Sequence, residues 1–146
     1  MNNFSLQYYL ECFSNLNIHS VSGESSPHKR ILLLSVIDYI EEHKDYCSNL
    51  IPFSLELEKI YEMNWRLNVR TSSYTPNFQT PFYHLQSEPF WSLVRKQGST
   101  YKHEGYSKTI SLAILRDNFI GAVIDEDLYQ FLLDDEAREQ LRAALN

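Results

Sequence analysis

The stretch ESSPHKRILLLSVIDYIEEH, residues 24–43, decides how the rest of the chain is read. Ser26 followed by Pro27 marks a helix start. A serine side chain accepts from the unpaired N–H groups of a first turn, and proline is tolerated at the first helical position, where its missing N–H has no partner to lose. Beyond it, Ile31, Leu32, Leu34, Val36, Ile37 and Ile40 recur at helical spacing to about Glu42. Their stripe is wide enough to predict a central helix. Its opening turn nevertheless carries His28, Lys29 and Arg30, where the helix dipole disfavours positive charge. Two readings stand. The side chains run outward and keep their heads in water, or backbone N–H groups and cationic side chains converge on one phosphate.

Around this helix the chain of 146 residues has room for one domain, 1–146, and not for two. Residues 4–18 place Leu6, Tyr9, Leu10, Phe13 and Leu16 at helical spacing, and 19–26 form a polar loop. NLIPF, 49–53, reads as a short extended piece. Ser54 caps a second amphipathic helix whose apolar positions are Leu55, Leu57, Ile60, Tyr61, Trp65 and Leu67. Residues 71–81, with two prolines, form a loop. PFYHLQ, 81–86, and FWSLVRK, 90–96, are short, aromatic and bounded by turn residues, which predicts two strands. A second loop, 97–108, leads into a short helix, ISLAILRDN, and then FIGAVI, a buried strand or turn. Asp125 caps EDLYQFLLDD, and EAREQLRAALN closes the chain as a helix. The expected class is α+β: mainly helical, with a small antiparallel sheet.

Composition narrows the function. The N-terminus MNNFSLQYYL has neither a basic leader nor a long apolar core, and no apolar stretch approaches membrane-spanning length, so a soluble cytoplasmic protein is expected. Cys12 and Cys47 lack the spacing of a metal site and read as reduced thiols in or near the core. The five histidines are scattered, none at metal-ligand spacing, and no cofactor or metal is expected. Phosphate-cradling glycine motifs, HExxH and GxSxG are absent. Glu56–Glu62 and Asp125–Glu139 read as solvated helix faces, so a binding module is favoured over an enzyme.

Net charge is −6, but it is unevenly spread. Between Asn64 and Arg116 stand seven basic residues and only two acids, Glu88 and Glu104, a local +5. A basic middle on an acidic body still attracts a polyanion, because the local field outweighs the total. Three features lie in or beside candidate loops: His28-Lys29-Arg30, TPFYHL at 80–85, and YKHEGYSK at 101–108, whose tyrosines interleave with lysines as on nucleic-acid surfaces.

Taken together, FSNLNI (13–18), SPHKRILLLSVID (26–38), TPFYHLQSEPFWSLV (80–94) and ILRDNFIGAVIDEDLYQFLLDDEAREQLRAAL (114–145) resemble the sulfur-binding domain of HNH-type, modification-dependent restriction endonucleases. That resemblance implies recognition of phosphorothioate-modified duplex DNA, in which sulfur replaces one non-bridging phosphate oxygen. By it, Pro81 is the cavity proline, His84 lies on the far side of the same motif, and His28 and Lys29 contact the DNA backbone with Arg30 beside them. Thr80 stands where family members often carry tyrosine, and Tyr74 or Tyr83 would supply the aromatic wall. Tyr106 and Lys108 would add contacts from the second loop. The family's nuclease domain has no counterpart in this chain, which then acts as a reader alone or with a nuclease domain or subunit as partner. Two other readings remain open: a protein-interaction subunit of a restriction or defence system, contacting through its acidic helices, and a nuclease.

Overall fold

The computed structural model describes residues 4–18, 20–21, 24–45, 47–70, 73–102 and 110–146. Its centre is α2 (His28–Glu42), in which Ile31 through Ile37 and Ile40 are all buried. The burial is broader than the apolar stripe because Leu33 and Ser35 are buried as well. Ser35 satisfies its hydroxyl by donating to the Ile31 carbonyl at 2.8 Å and accepting from Asn64 Nδ2 at 3.1 Å, so a polar group sits in the core without an orphan. The helix begins one residue later than the sequence suggests. Ser26 Oγ still receives the His28 N–H, at a long 3.4 Å.

Against α2 pack α3 (Leu55–Asn68), α4 (Gln79–His84), α6 (Glu126–Leu133) and α7 (Asp135–Ala144); α1 (Leu6–Ser14) lies on α6 and α7, and α5 (Leu112–Asn118) and a 3-10 turn at Leu85–Ser87 lie on α4. Ser54 caps α3 by accepting from Leu57 N at 3.2 Å, as expected. Only Leu57, Tyr61 and Trp65 of that helix are buried, while Leu55 and Leu67 are exposed. Asp125 precedes α6 but makes no side-chain cap; its carboxylate instead accepts from the Tyr9 hydroxyl at 2.7 Å, tying α1 to α6. Cys12 and Cys47 are half-buried free thiols.

The strands are β1 (Ser20–Val21), β2 (Glu24–Ser25), β3 (Leu50–Pro52), β4 (Trp91–Arg95) and β5 (Phe119–Ile124). The first two form a minimal hairpin; the others form an antiparallel sheet in the order β3-β5-β4, which completes the expected mainly helical α+β domain. FIGAVI is therefore the central strand. Pro52 is accommodated because β3 is an edge. It pairs opposite Gly121, where a Cβ would lie 2.2 Å from the Ile51 carbonyl oxygen, so glycine is required for the strands to approach. Among the described residues, no helix is long and apolar enough to cross a membrane.

One element differs in kind from expectation. Residues 81–86, read as a strand, form the end of α4 and the 3-10 turn. The segment expected as a strand starts at Pro81 and leaves out Phe78. With Phe78 included, the buried residues are Phe78, Pro81, Phe82 and Leu85, a helical spacing. Pro81 falls in the first turn, where its missing N–H has no helical acceptor to abandon. The Phe82 N–H closes the turn onto Phe78 O at 3.3 Å, and Trp91 Nε1 donates to Phe82 O at 3.0 Å, fixing α4 against β4.

Candidate functional site

A cleft of about 530 Å³ opens where four chain segments meet: the run after α1, the start of α2, the loop before α4, and α4 with its 3-10 turn. Six of the ten residues nominated from sequence line it: His28, Lys29, Tyr74, Thr80, Pro81 and His84. They come from three segments separated by up to about fifty residues. Arg30 is half-buried and lies outside the lining. Tyr106 and Lys108 fall outside the described residues. Of the two tyrosines weighed for the aromatic wall, Tyr74 is in the cleft, whereas Tyr83 faces a separate recess with Trp91, Arg95 and Phe119. Sequence reading did not nominate Asn17, Ile18, Ser26 or Ser87, which complete the lining.

Lys29 does not extend into solvent. Its ammonium donates to Asn17 O at 2.7 Å, to Ser87 Oγ at 2.9 Å and to Glu88 Oε2 at 2.9 Å. The ion pair is nearly enclosed, with side-chain exposures of 11% for Lys29 and 6% for Glu88. The same carboxylate oxygen also accepts from Asn17 N at 2.8 Å. One lysine thus ties the chain after α1 to α2 and to the turn after α4. In this arrangement each of its three N–H bonds already has an acceptor within the protein. Glu88 was legible only as one of two acids in the basic middle of the chain, and no local signal marked it as the partner.

His28 is likewise held inward. Its Nε2 lies 2.7 Å from Thr75 O, which can only accept, so this nitrogen carries the proton; Nδ1 then accepts from the Ser26 hydroxyl at 2.6 Å. The ring sits 4.9 Å from Trp65 and 5.6 Å, edge-on, from Tyr74. Burial pushes its pKa below the ordinary histidine value, and the bond to Thr75 opposes this only in part. At neutral pH the imidazole is therefore uncharged. It contributes no cation to the opening turn, but it anchors the loop that carries Tyr74 to the cleft wall.

The result is a cleft with apolar surface from Ile18, the buried Pro81 ring and Tyr74, and with Lys29 and His28 bonded within the protein. Thr80 and His84 complete the α4 side. Arg30, Arg66, Arg70 and Lys102 lie outside the lining. At the opposite end of α2, His43 Nε2 is 2.6 Å from Glu56 Oε2 with Glu42 close by, the one His-carboxylate cluster of metal-ligand type among the described residues. Sequence spacing did not show it because Glu56 comes from the next helix.

Comparison with protein-family models and with curated proteins finds no match.

Proposed function

We propose that this chain binds phosphorothioate-modified double-stranded DNA, accepts the backbone sulfur in the cleft at the start of α2, and has no catalysis of its own. The observation that carries the reading is the meeting of segments 13–18, 26–38 and 80–94, each part of the sequence resemblance, around one cleft with an apolar wall and inward-bonded polar groups. Sulfur is larger, softer and less hydrated than oxygen. An ordinary phosphate oxygen entering such a cleft loses water without gaining equivalent donors, at a cost of about 1–3 kcal/mol. Affinity then comes from basic residues outside the lining acting on neighbouring phosphates, which makes binding salt-dependent. Selectivity comes from the cleft, partly through rejection of the unmodified backbone.

A gel-shift titration at moderate salt tests this with two duplexes identical except for one Rp phosphorothioate. The modified duplex is expected to bind more tightly, and equal affinity for the two overturns the proposal. Pro81→Ala is expected to weaken the modified complex more than the unmodified one, because it removes the ring from the sulfur wall.

A second reading, a protein-interaction subunit, draws on the exposure of Leu55, Met63 and Leu67 along α3. Copurification with a protein partner, together with no binding to either duplex, would favour it.

A further inference from the structure

We infer that Glu88 is a specificity-determining residue: by occupying the Lys29 ammonium, it prevents the cleft from compensating an ordinary phosphate oxygen for the water it loses. The inference rests on the phosphorothioate reading above and adds to it a residue that makes no contact with the ligand.

An ammonium has three N–H bonds, and Lys29 meets three protein acceptors, all at 2.9 Å or less. Lys29 lines the cleft, whereas Glu88 lies behind it and is 7% exposed. Asn17 N donates to the same Glu88 carboxylate oxygen at 2.8 Å and helps hold it in place. A lysine with an open N–H on the same wall would give a charge-assisted bond to any oxyanion that entered. Such a bond favours the hard, strongly accepting oxygen over the soft sulfur, so an open Lys29 would erode the preference. Glu88 removes both the open donor and the net charge. His28 is restrained in the same way, its Nε2–H on Thr75 O and its Nδ1 on the Ser26 hydroxyl. Lys29 and His28 therefore present little donor capacity to a ligand, and discrimination follows from what they are bonded to inside the protein.

The test is Glu88→Gln in the full chain, which keeps an acceptor for Asn17 N and Lys29 but removes the charge. Both duplexes are titrated by fluorescence anisotropy across a salt series, with circular dichroism as the check on folding. The inference predicts a gain: affinity for the unmodified duplex rises about fivefold, and the modified-to-unmodified preference shrinks by a similar factor. The salt slope for the unmodified duplex also steepens by about one, as for one added phosphate contact. A purely structural role would weaken both complexes together, and that result, or an unchanged preference, overturns the inference. Ser87→Ala, which opens one Lys29 donor and leaves the ion pair, is expected to shrink the preference by a smaller factor. It decides the matter if Glu88→Gln fails to fold, with an unchanged preference overturning the inference. Absence of any preference in the unsubstituted chain overturns the phosphorothioate reading itself, so the two failures are distinguishable.

Discussion

The two ends of α2 both carry ion pairs to distant parts of the chain, but they solve different problems. At its start, Lys29 meets Glu88 in a nearly enclosed pair. Toward its end, Asp38 and Glu41 meet Arg142 of α7 at 2.9 and 2.8 Å, and these side chains are 25–44% exposed. Arg142 also bonds Glu139, and Arg138 reaches Glu41 and Asp135, so the second site is a redundant network. Water reaches Arg142, Asp38 and Glu41 there, although Arg138 itself is buried against partners that are exposed. At the first site water has far less access, because both partners are nearly enclosed, at 11% and 6% side-chain exposure. Enclosure, more than the number of bonds, sets how much each pair matters, and the enclosed pair is the one that lines the cleft.

The largest effect that would break this contrast is Lys29→Met. It leaves a buried carboxylate without its cation and is expected to cost about 3–5 kcal/mol of stability, read from the denaturant midpoint. Adding Glu88→Met should recover most of that loss, because the penalty belongs to the uncompensated charge. A loss below about 1 kcal/mol would show that the pair is effectively solvated.

A smaller effect is expected from pH. The folded-state pKa of His28 lies below its unfolded value because burial disfavours the imidazolium. The unfolded chain therefore takes up the proton first as pH falls. The stabilisation is fully present above the unfolded value near 6.5 and is lost as pH drops below it toward and through the folded value. Melting temperatures between pH 8 and pH 5 should fall more steeply for the natural chain than for His28→Gln. Identical slopes would contradict the neutral, inward-bonded histidine.

The smallest effect is expected at the other end of the helix. Arg142→Ala should cost less than about 1 kcal/mol, since the pairs it loses are partly exposed and Arg138 remains bonded to Glu41 and Asp135. A loss as large as that of Lys29→Met would remove the distinction between the two sites.

Much of the fold was legible because its main elements announce themselves locally. The apolar stripe of α2, the Ser54 cap of α3 and the run FIGAVI for β5 each need only neighbouring residues to be read. The helix α4 reads as a strand from sequence because its period spans Phe78 to Leu85, across the boundary that the loop prolines suggest. The candidate site was legible in its parts: His28, Lys29, Thr80, Pro81 and His84 were nominated, and they converge. The state of those residues was not legible. Lys29 finds Glu88 at a separation of 59 residues and His28 finds Thr75 at 47, distances over which sequence spacing carries no signal. Two of the three basic residues at the start of the buried helix are thus resolved through tertiary partners. Lys29 is neutralised by a carboxylate, His28 is kept as an uncharged ring, and Arg30 stays half-buried outside the cleft.

The most direct test of the central claim is to follow backbone amide resonances of the ¹⁵N-labelled chain while adding each duplex at the same salt concentration. The account predicts that the Rp phosphorothioate duplex shifts the amides of Ile18, His28, Tyr74 and His84, and that the unmodified duplex leaves them largely unmoved. Shifts confined to α6 and α7, or the same shifts with both duplexes, would contradict it.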